Sequence, residues 1–294
     1  MRVPFRNLGS VSRPDLALLE APRSMNPLAD LTQSRDLLVN LTLRELRGKY
    51  KRSVLGWSWS LLNPLATMVI FSVVFGRLIG ISPTTSPSGL NNYPAFLLCG
   101  LLAWNFLANG MNGSMVALLG NAGLIKKVYF PREILVYATV LALDWSFVIE
   151  MGLMMVFLLI LGNMVLPWIL GIILAMVLMT LFVTGIGLML SVLNVYFRDL
   201  QYLVGIGLQL WFYLTPIIYP ITTVTDSHGI PPWVKTIYVL NPMLSFVQIF
   251  RSMLYDLQFP RWSQVAYVTV WSLGVVVIGM VVFRKFEARL AEEL

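Results

Sequence analysis

The sequence predicts an all-α integral membrane protein with six transmembrane helices, an N-terminal amphipathic interfacial helix, and a re-entrant helical pair between spans five and six. Three observations carry this. Of 294 residues, 57% are hydrophobic and only 12% charged, whereas a soluble domain is about one-quarter charged. Several stretches reach the roughly 20 apolar residues that a helix needs to cross a hydrocarbon core of about 30 Å. Their apolarity is continuous, not alternating. Because lipid leaves backbone amides no partner outside the chain, only helices or a closed barrel can cross, and continuous apolarity selects helices.

Residues 1–33 carry Arg2, Arg6, Arg13 and Arg23 among scattered prolines and hold no run long enough for a signal peptide, which reads as a disordered cytoplasmic tail. A helix over 34–52 follows, with Ser34 as N-cap and Asp36 in the first turn, where the helix dipole favours an acid. Val39, Leu43, Leu46 and Tyr50 fall on one stripe, and Arg44, Arg47 and Lys51 on a neighbouring one, the pattern of a helix lying in the membrane surface. Spans are expected at about 55–81, 93–119, 134–161, 166–193, 200–219 and 262–283. The segment 220–261 is too broken by proline and charge to span, yet too apolar for a plain loop. Two short helices, 231–240 and 242–255, are expected there, the second capped by Asn241 with Pro242 at its first position. Irregular backbone at membrane depth survives only against protein or a water-lined cavity, so the pair reads as re-entrant at an outer mouth.

Orientation follows from charge. With the N-terminus inside, seventeen of the 21 Lys and Arg residues are cytoplasmic, leaving Arg77, Lys235, Arg251 and Arg261 outside. Both termini are then cytoplasmic, and the net charge of +7 has a membrane explanation that makes nucleic acid a poor partner. One cysteine, Cys99, and one histidine, His228, exclude an internal disulfide and a metal site of the usual His/Cys kind. No G-x-x-x-x-G-K-[ST] loop occurs, so a partner must hydrolyse any ATP that drives the protein. The loop 82–92 lacks the acids that a membrane-embedded glycosyltransferase wants for metal binding or base chemistry. No catalytic residue and no cofactor on this chain is expected.

Two acids, Asp144 and Glu150, fall inside span three, where a charge costs roughly 2.5 to 3.5 kcal/mol on insertion scales. They are either a proton relay or substrate contact, or protonated and hydrogen-bonded between helices; six residues apart on a helix, they do not form a dyad. Trp211, Phe212, Tyr213 and Tyr219 in span five, with Phe71 and Phe75 in span one, are candidate pathway residues whose ring faces could stack on sliding sugars. Trp57 and Trp59 read as interfacial anchors. The segment holding Lys126, Lys127, Phe130, Pro131, Arg132 and Glu133 combines aromatic, proline and opposite charges on the cytoplasmic side, the composition of a docking surface.

The run 43–64, LRELRGKYKRSVLGWSWSLLNP, resembles the entry to span one in type-2 ABC exporters of O-antigen, teichoic acid and related cell-wall polysaccharides. The segment 125–135, IKKVYFPREIL, looks like that family's cytoplasmic coupling segment. The stretch 194–220, NVYFRDLQYLVGIGLQLWFYLTPIIYP, and the Asn241-Pro242 pair match too, so the resemblance covers nearly everything from residue 34 onward. It implies a permease subunit in which Lys127, Phe130, Pro131, Arg132 and Glu133 dock into a separate ATPase and the 34–52 helix rests nearby at the inner interface. It further implies a homodimer lining one channel with spans one and five, working with two copies of an ABC ATPase that hold ATP and Mg. The substrate would be a polyprenyl-linked polysaccharide, and the location, amid membrane lipids, a bacterial cytoplasmic membrane.

Two rivals share features with this reading: a type-2 ABC exporter of drugs or a small lipid, and a proton-coupled flippase using Asp144 or Glu150. The surface helix and aromatic span five oppose the first, and the coupling segment opposes the second. A purely structural membrane scaffold would not need a re-entrant pair.

Overall fold

The computed structural model describes residues 35–50, 58–81, 86–128, 130–227 and 229–287, and every regular element among them is helical. In chain order these are α1 (Arg35–Tyr50), α2 (Ser58–Phe71, continued by a π-helix Ser72–Leu78), α3 (Tyr93–Gly120), α4 (Ala122–Ile125) and α5 (Glu133–Ile160). There follow α6 (Ile169–Tyr196, entered through a 3-10 turn Leu166–Trp168), α7 (Leu200–Leu214), α8 (Thr222–Thr225), α9 (Pro232–Val239), α10 (Pro242–Leu254) and α11 (Trp262–Glu287). The expected tail, Ser34, Lys51, Arg52, Trp57 and His228 lie outside the described residues.

Helix α3 forms the centre. Asn92 starts it by accepting a hydrogen bond from Ala95 N at 3.0 Å, and Pro94 stands in the first turn, where an amide proton has no partner to lose. The helix is buried over 78% of its apolar window, with α5, α6 and α10 around it. Phe106 stacks on Phe147 at 4.5 Å, Phe147 meets Phe250 edge-on at 6.1 Å, and Phe182 contacts Phe246 at 5.5 Å, so rings stitch these four helices together. Helices α6 and α11 cross at Gly185 and Gly279. A methyl on Gly279 would lie 2.4 Å from the Gly185 carbonyl oxygen, an approach that only small residues allow and by which helices pack when lipid supplies no hydrophobic drive. Between α5 and α6 the chain reverses at Gly162, whose φ of 86° suits a residue without Cβ.

Among the described residues, four helical stretches are long and apolar enough to cross a membrane: Tyr93–Gly120, Glu133–Ile160, Leu166–Tyr196 and Trp262–Glu287. They match expected spans two, three, four and six to within about four residues. The other two differ. Expected span one is apolar helix only over Leu62–Leu78, the last part wound as a π-helix. Expected span five ends at Leu214 instead of 219. At 1.5 Å per residue α7 is about 22 Å long, short of a full hydrocarbon core. The cause is Pro216, which bars the helical conformation for the residue before it, and Thr215 is extended at φ −104°, ψ 134°. Helix length alone therefore does not give six crossings.

The α9–α10 pair is bent by 68°, and Asn241 caps α10 by accepting from Met243 N at 3.0 Å. Helix α10 lies deeper than a rim element would. Met243, Phe246, Val247, Phe250 and Leu254 have no measurable exposure and belong to the main core.

Candidate functional site

At the α1 end of the bundle, helix α1 and the 121–132 segment share a small core of their own. Leu41, Phe130, Leu118, Ile125, Ile134, Leu188 and Phe283 are buried together, with Leu37 and Leu38 packed against them. Helix α1 thus turns Leu37, Leu38 and Leu41 toward the protein. The expected stripe, Val39 and Leu43, faces outward, exposed on the opposite side, with Arg44 and Arg47 also exposed. Arg44 donates to the Asn121 side-chain oxygen, and to Glu45 at 2.9 Å, which fastens α1 to the start of α4. Arg132 donates to the Glu287 carbonyl at 2.6 Å, fastening the other end to α11.

The candidate docking residues therefore divide. Phe130, expected on the surface, is buried because the α1 leucines and Ile134 close over it; its ring anchors the segment from beneath. Glu133 is also buried, in the first turn of α5, and Pro131 and Arg132 are half-buried. Lys126, Lys127 and Val128 stand exposed, around a hollow of about 210 Å³ that Ile125, Phe130 and Arg132 complete.

The second region surrounds the broken end of α7. A helix ending inside a protein leaves carbonyls that need donors. Here the Arg251 guanidinium donates to the carbonyls of Pro216 and Ile217 and, through Nε at 3.3 Å, to that of Phe96. Tyr93 OH donates to the Ile218 carbonyl at 2.8 Å. Arg251 is 3% exposed, so the reading of it as an outer-face cation is corrected: it sits inside the bundle. A lone arginine in an otherwise uncharged helix, downstream of a proline break that needs donors, was the signal available for it.

The expected pathway aromatics come together, but as a packed cluster. Phe71 lies 5.5 Å from Phe75 and 6.2 Å from Phe212, and Phe212 lies 5.3 Å from Tyr213. Trp104 of α3, which the sequence reading missed, meets Trp211 at 5.9 Å and Phe212 at 5.5 Å and so joins α7 to the centre. Trp211 Nε1 donates to Asn241 Oδ1 at 2.8 Å, and Asn241 in turn donates to Thr215 Oγ1 at 3.0 Å. Tyr219 OH is spent on the Tyr213 carbonyl at 2.8 Å. Of the four candidate rings Trp211, Phe212, Tyr213 and Tyr219, Tyr213 is the exposed one.

Asp144 and Glu150 are not brought together. Asp144 accepts from the Thr180 hydroxyl at 2.7 Å, a pairing between α5 and α6. Glu150 borders a separate cavity of about 220 Å³ with Pro64, Leu65, Met68, Leu98 and Leu102. Near the C-terminus of α10, Ser86 donates to Asp256 at 2.8 Å and Asn163 donates to the Leu254 carbonyl at 2.7 Å, which ties the loop before α3 and the α5–α6 turn to the end of α10. Burial lifts the Asp256 carboxyl above the usual carboxylate range, with the Ser86 hydroxyl and then Arg251 pulling it back. Among the described residues no three His, Cys, Asp or Glu side chains converge as for a metal ion.

A helical bundle with a buried arginine at a broken helix, a small-residue crossing and an exposed ledge at Lys126, Lys127 and Val128 does not by itself choose among transporter families. The family model for ABC-2 type transporters matches residues 36–255, which decides between them. The chain belongs to the ABC-2 type transporter family. An O-antigen export system permease protein RfbA of Klebsiella pneumoniae is 32% identical over 263 residues, covering 88% of this chain and 95% of the relative. Its Myxococcus xanthus counterpart is 29% identical over 90% of this chain and 98% of its own length. The polysialic acid transport protein KpsM of Escherichia coli is 26% identical over 84% of this chain and 92% of its own. In this ABC-2 chain the matched region runs from α1 to the residue after α10, so the ledge, the aromatic cluster and the Arg251 junction all lie within it.

Proposed function

We propose that this chain is the permease subunit of an ATP-driven exporter of lipid-linked polysaccharide in the bacterial cytoplasmic membrane. Near end-to-end similarity to O-antigen and polysialic acid export permeases carries the reading. The polymer is of the O-antigen, teichoic acid or galactan-like class, on a polyprenyl carrier. Six crossings follow if α2 with its π-helical end and α7 with its unwound 215–220 segment each complete a passage, their broken backbone covered by protein. The bent α9–α10 pair is then re-entrant on the outer side, α1 lies in the inner interface, and both termini are cytoplasmic.

Two copies of the chain face one another. What supports this is the apolar surface left on the two short helices: Trp59, Leu62 and Leu65 on α2, and Tyr202, Leu203, Ile206 and Leu210 on α7, are all exposed. The aromatic cluster, with Tyr213 outermost, borders the path between the copies. Lys126, Lys127 and Val128 form the ledge for an ABC ATPase subunit, one per copy, which holds ATP and Mg. Phe130, Pro131, Arg132 and Glu133 set the ledge's shape.

The test is deletion of the gene and complementation with the wild-type chain, together with purification of the protein with its co-expressed ATPase. Loss of surface polysaccharide on deletion, its return on complementation, and a complex of two permeases with two ATPases are expected. Unchanged surface polymer in the deletion strain would overturn the assignment.

A further inference from the structure

Arg77 is the only charged residue between Arg52 and Lys126. It stands in the π-helix Ser72–Leu78, whose wide turns close through bonds such as Ile79 N to Val74 O at 3.0 Å. π-Turns carry an insertion that re-aims side chains, and they concentrate at functional sites. Beside Arg77 opens a cavity of about 500 Å³, lined by Met68, Ser72, Gly76, Ile81 and Asn91, with the Tyr93 ring as its back wall. None of its lining residues is acidic. The Ser72 hydroxyl is shut off from solvent, so Ser72 lines the cavity with its other atoms and Asn91, which is exposed, supplies the neutral polar group there. Tyr93 OH is already committed to Ile218.

The remaining wall is apolar and directional. Val69 and Val73 also line the cavity and are about half exposed; one turn apart and in line with Arg77, they form a greasy rail ending at the cation. A guanidinium and an amide beside such a rail match an amphiphile whose head is a phosphate. Arginine offers phosphate a two-pronged contact, and charge-assisted bonds are roughly twice as strong as neutral ones.

From this geometry we propose that the α2–α3 cavity binds the phosphate head of a lipid, with Arg77 as its principal contact, Asn91 as a secondary donor, and the chain laid along Val69 and Val73. The site deepens the proposed function and rests on it, since the Arg77 end of the bundle is outward there. A lipid delivered to the outer leaflet would present its phosphate at this level. The phosphate can belong to the export carrier or to the membrane's own anionic lipid.

The permease–ATPase complex in phosphatidylcholine nanodiscs would be titrated with a polyprenyl diphosphate, with phosphatidylglycerol, and with inorganic phosphate, and bound lipid counted by native mass spectrometry. Arg77→Gln is expected to lower lipid affinity about tenfold or more, Arg77→Lys less, and Asn91→Ala by about two- to fivefold, in line with one strong and one weaker donor. Arg77 and Asn91 are both exposed, so their variants keep the wild-type melting temperature, and Asn91→Ala serves as the second, independent probe. A larger Arg77 effect on the polyprenyl diphosphate assigns the site to the carrier, and an equal effect on both lipids assigns it to bulk anionic lipid; either supports the site. Wild-type affinity in Arg77→Gln overturns it. Surface polymer in cells is read separately: export without Arg77-dependent binding removes the site and keeps the permease. Arg77-dependent binding without export removes the permease and keeps a lipid site.

Discussion

The Arg251 guanidinium carbon lies 3.7 Å from the centre of the Phe96 ring while its nitrogens hold the carbonyls that Pro216 leaves behind. One side chain thus joins α10, α3 and the unwound end of α7. Arg251→Gln shortens the reach, and Arg251→Met removes the donors at similar volume, so both orphan two buried carbonyls at about 1 to 3 kcal/mol each. A clear fall in the thermal unfolding midpoint of the purified protein in detergent is expected for both, with Arg251→Lys intermediate. An unchanged midpoint in Arg251→Met would show that the carbonyls find other donors.

The ledge residues separate stability from coupling. Phe130→Ala empties a buried ring site, and large-to-small changes of that kind cost about 3 to 5 kcal/mol, so it should lower membrane abundance. Lys127→Glu and Val128→Asp alter exposed side chains and should leave abundance intact while reducing pull-down of the ATPase and export of polymer. Normal ATPase recovery with both surface variants would move the docking surface elsewhere.

Trp211 and Tyr213 stand two residues apart but differ in kind. Trp211→Phe deletes the donor to Asn241, a loss of about 1 kcal/mol that shows as a lower melting temperature. Tyr213→Ala strips an exposed ring and should spare stability; if the ring touches passing sugar, export slows. The combined change of Trp211, Phe212 and Tyr213 to leucine removes the rings but leaves more apolar bulk than alanine would, and so tests stacking with a smaller cavity cost. Full export by that variant at normal abundance would make these rings packing residues only.

Topology has a direct probe in single cysteines. Asp226 and Gly123 are both exposed, and the native Cys99 is fully buried, so background labelling should be low. Asp226→Cys is expected to react with a membrane-impermeant maleimide on intact cells and Gly123→Cys only after lysis. The reverse pattern would invert the orientation. Ser86 is a poor probe because it is buried against Asp256.

Much of the architecture follows from local rules. Continuous apolar runs with cap residues, such as Asn92-Tyr93-Pro94 and Asn241-Pro242, define helix starts, because capping is a contact between residues two or three apart. Charge placement and the four resembling segments pointed to the family that residues 36–255 match. Tertiary structure decided which faces are used. Sequence periodicity marks a greasy stripe on α1 but cannot tell lipid from protein, since both are apolar, and the packed side proved to be Leu37, Leu38 and Leu41. The same ambiguity concealed Phe130 beneath the ledge, for a buried and an exposed aromatic read alike in one dimension. Pro216 was a local signal for the break that the expected span 200–219 ran through, whereas the answer to it, Arg251, stands 35 residues later and meets those carbonyls only because α10 folds back into the core. Partners distant in sequence are settled by which helices pack together, and that depends on close approaches such as Gly185 to Gly279 that no single segment encodes.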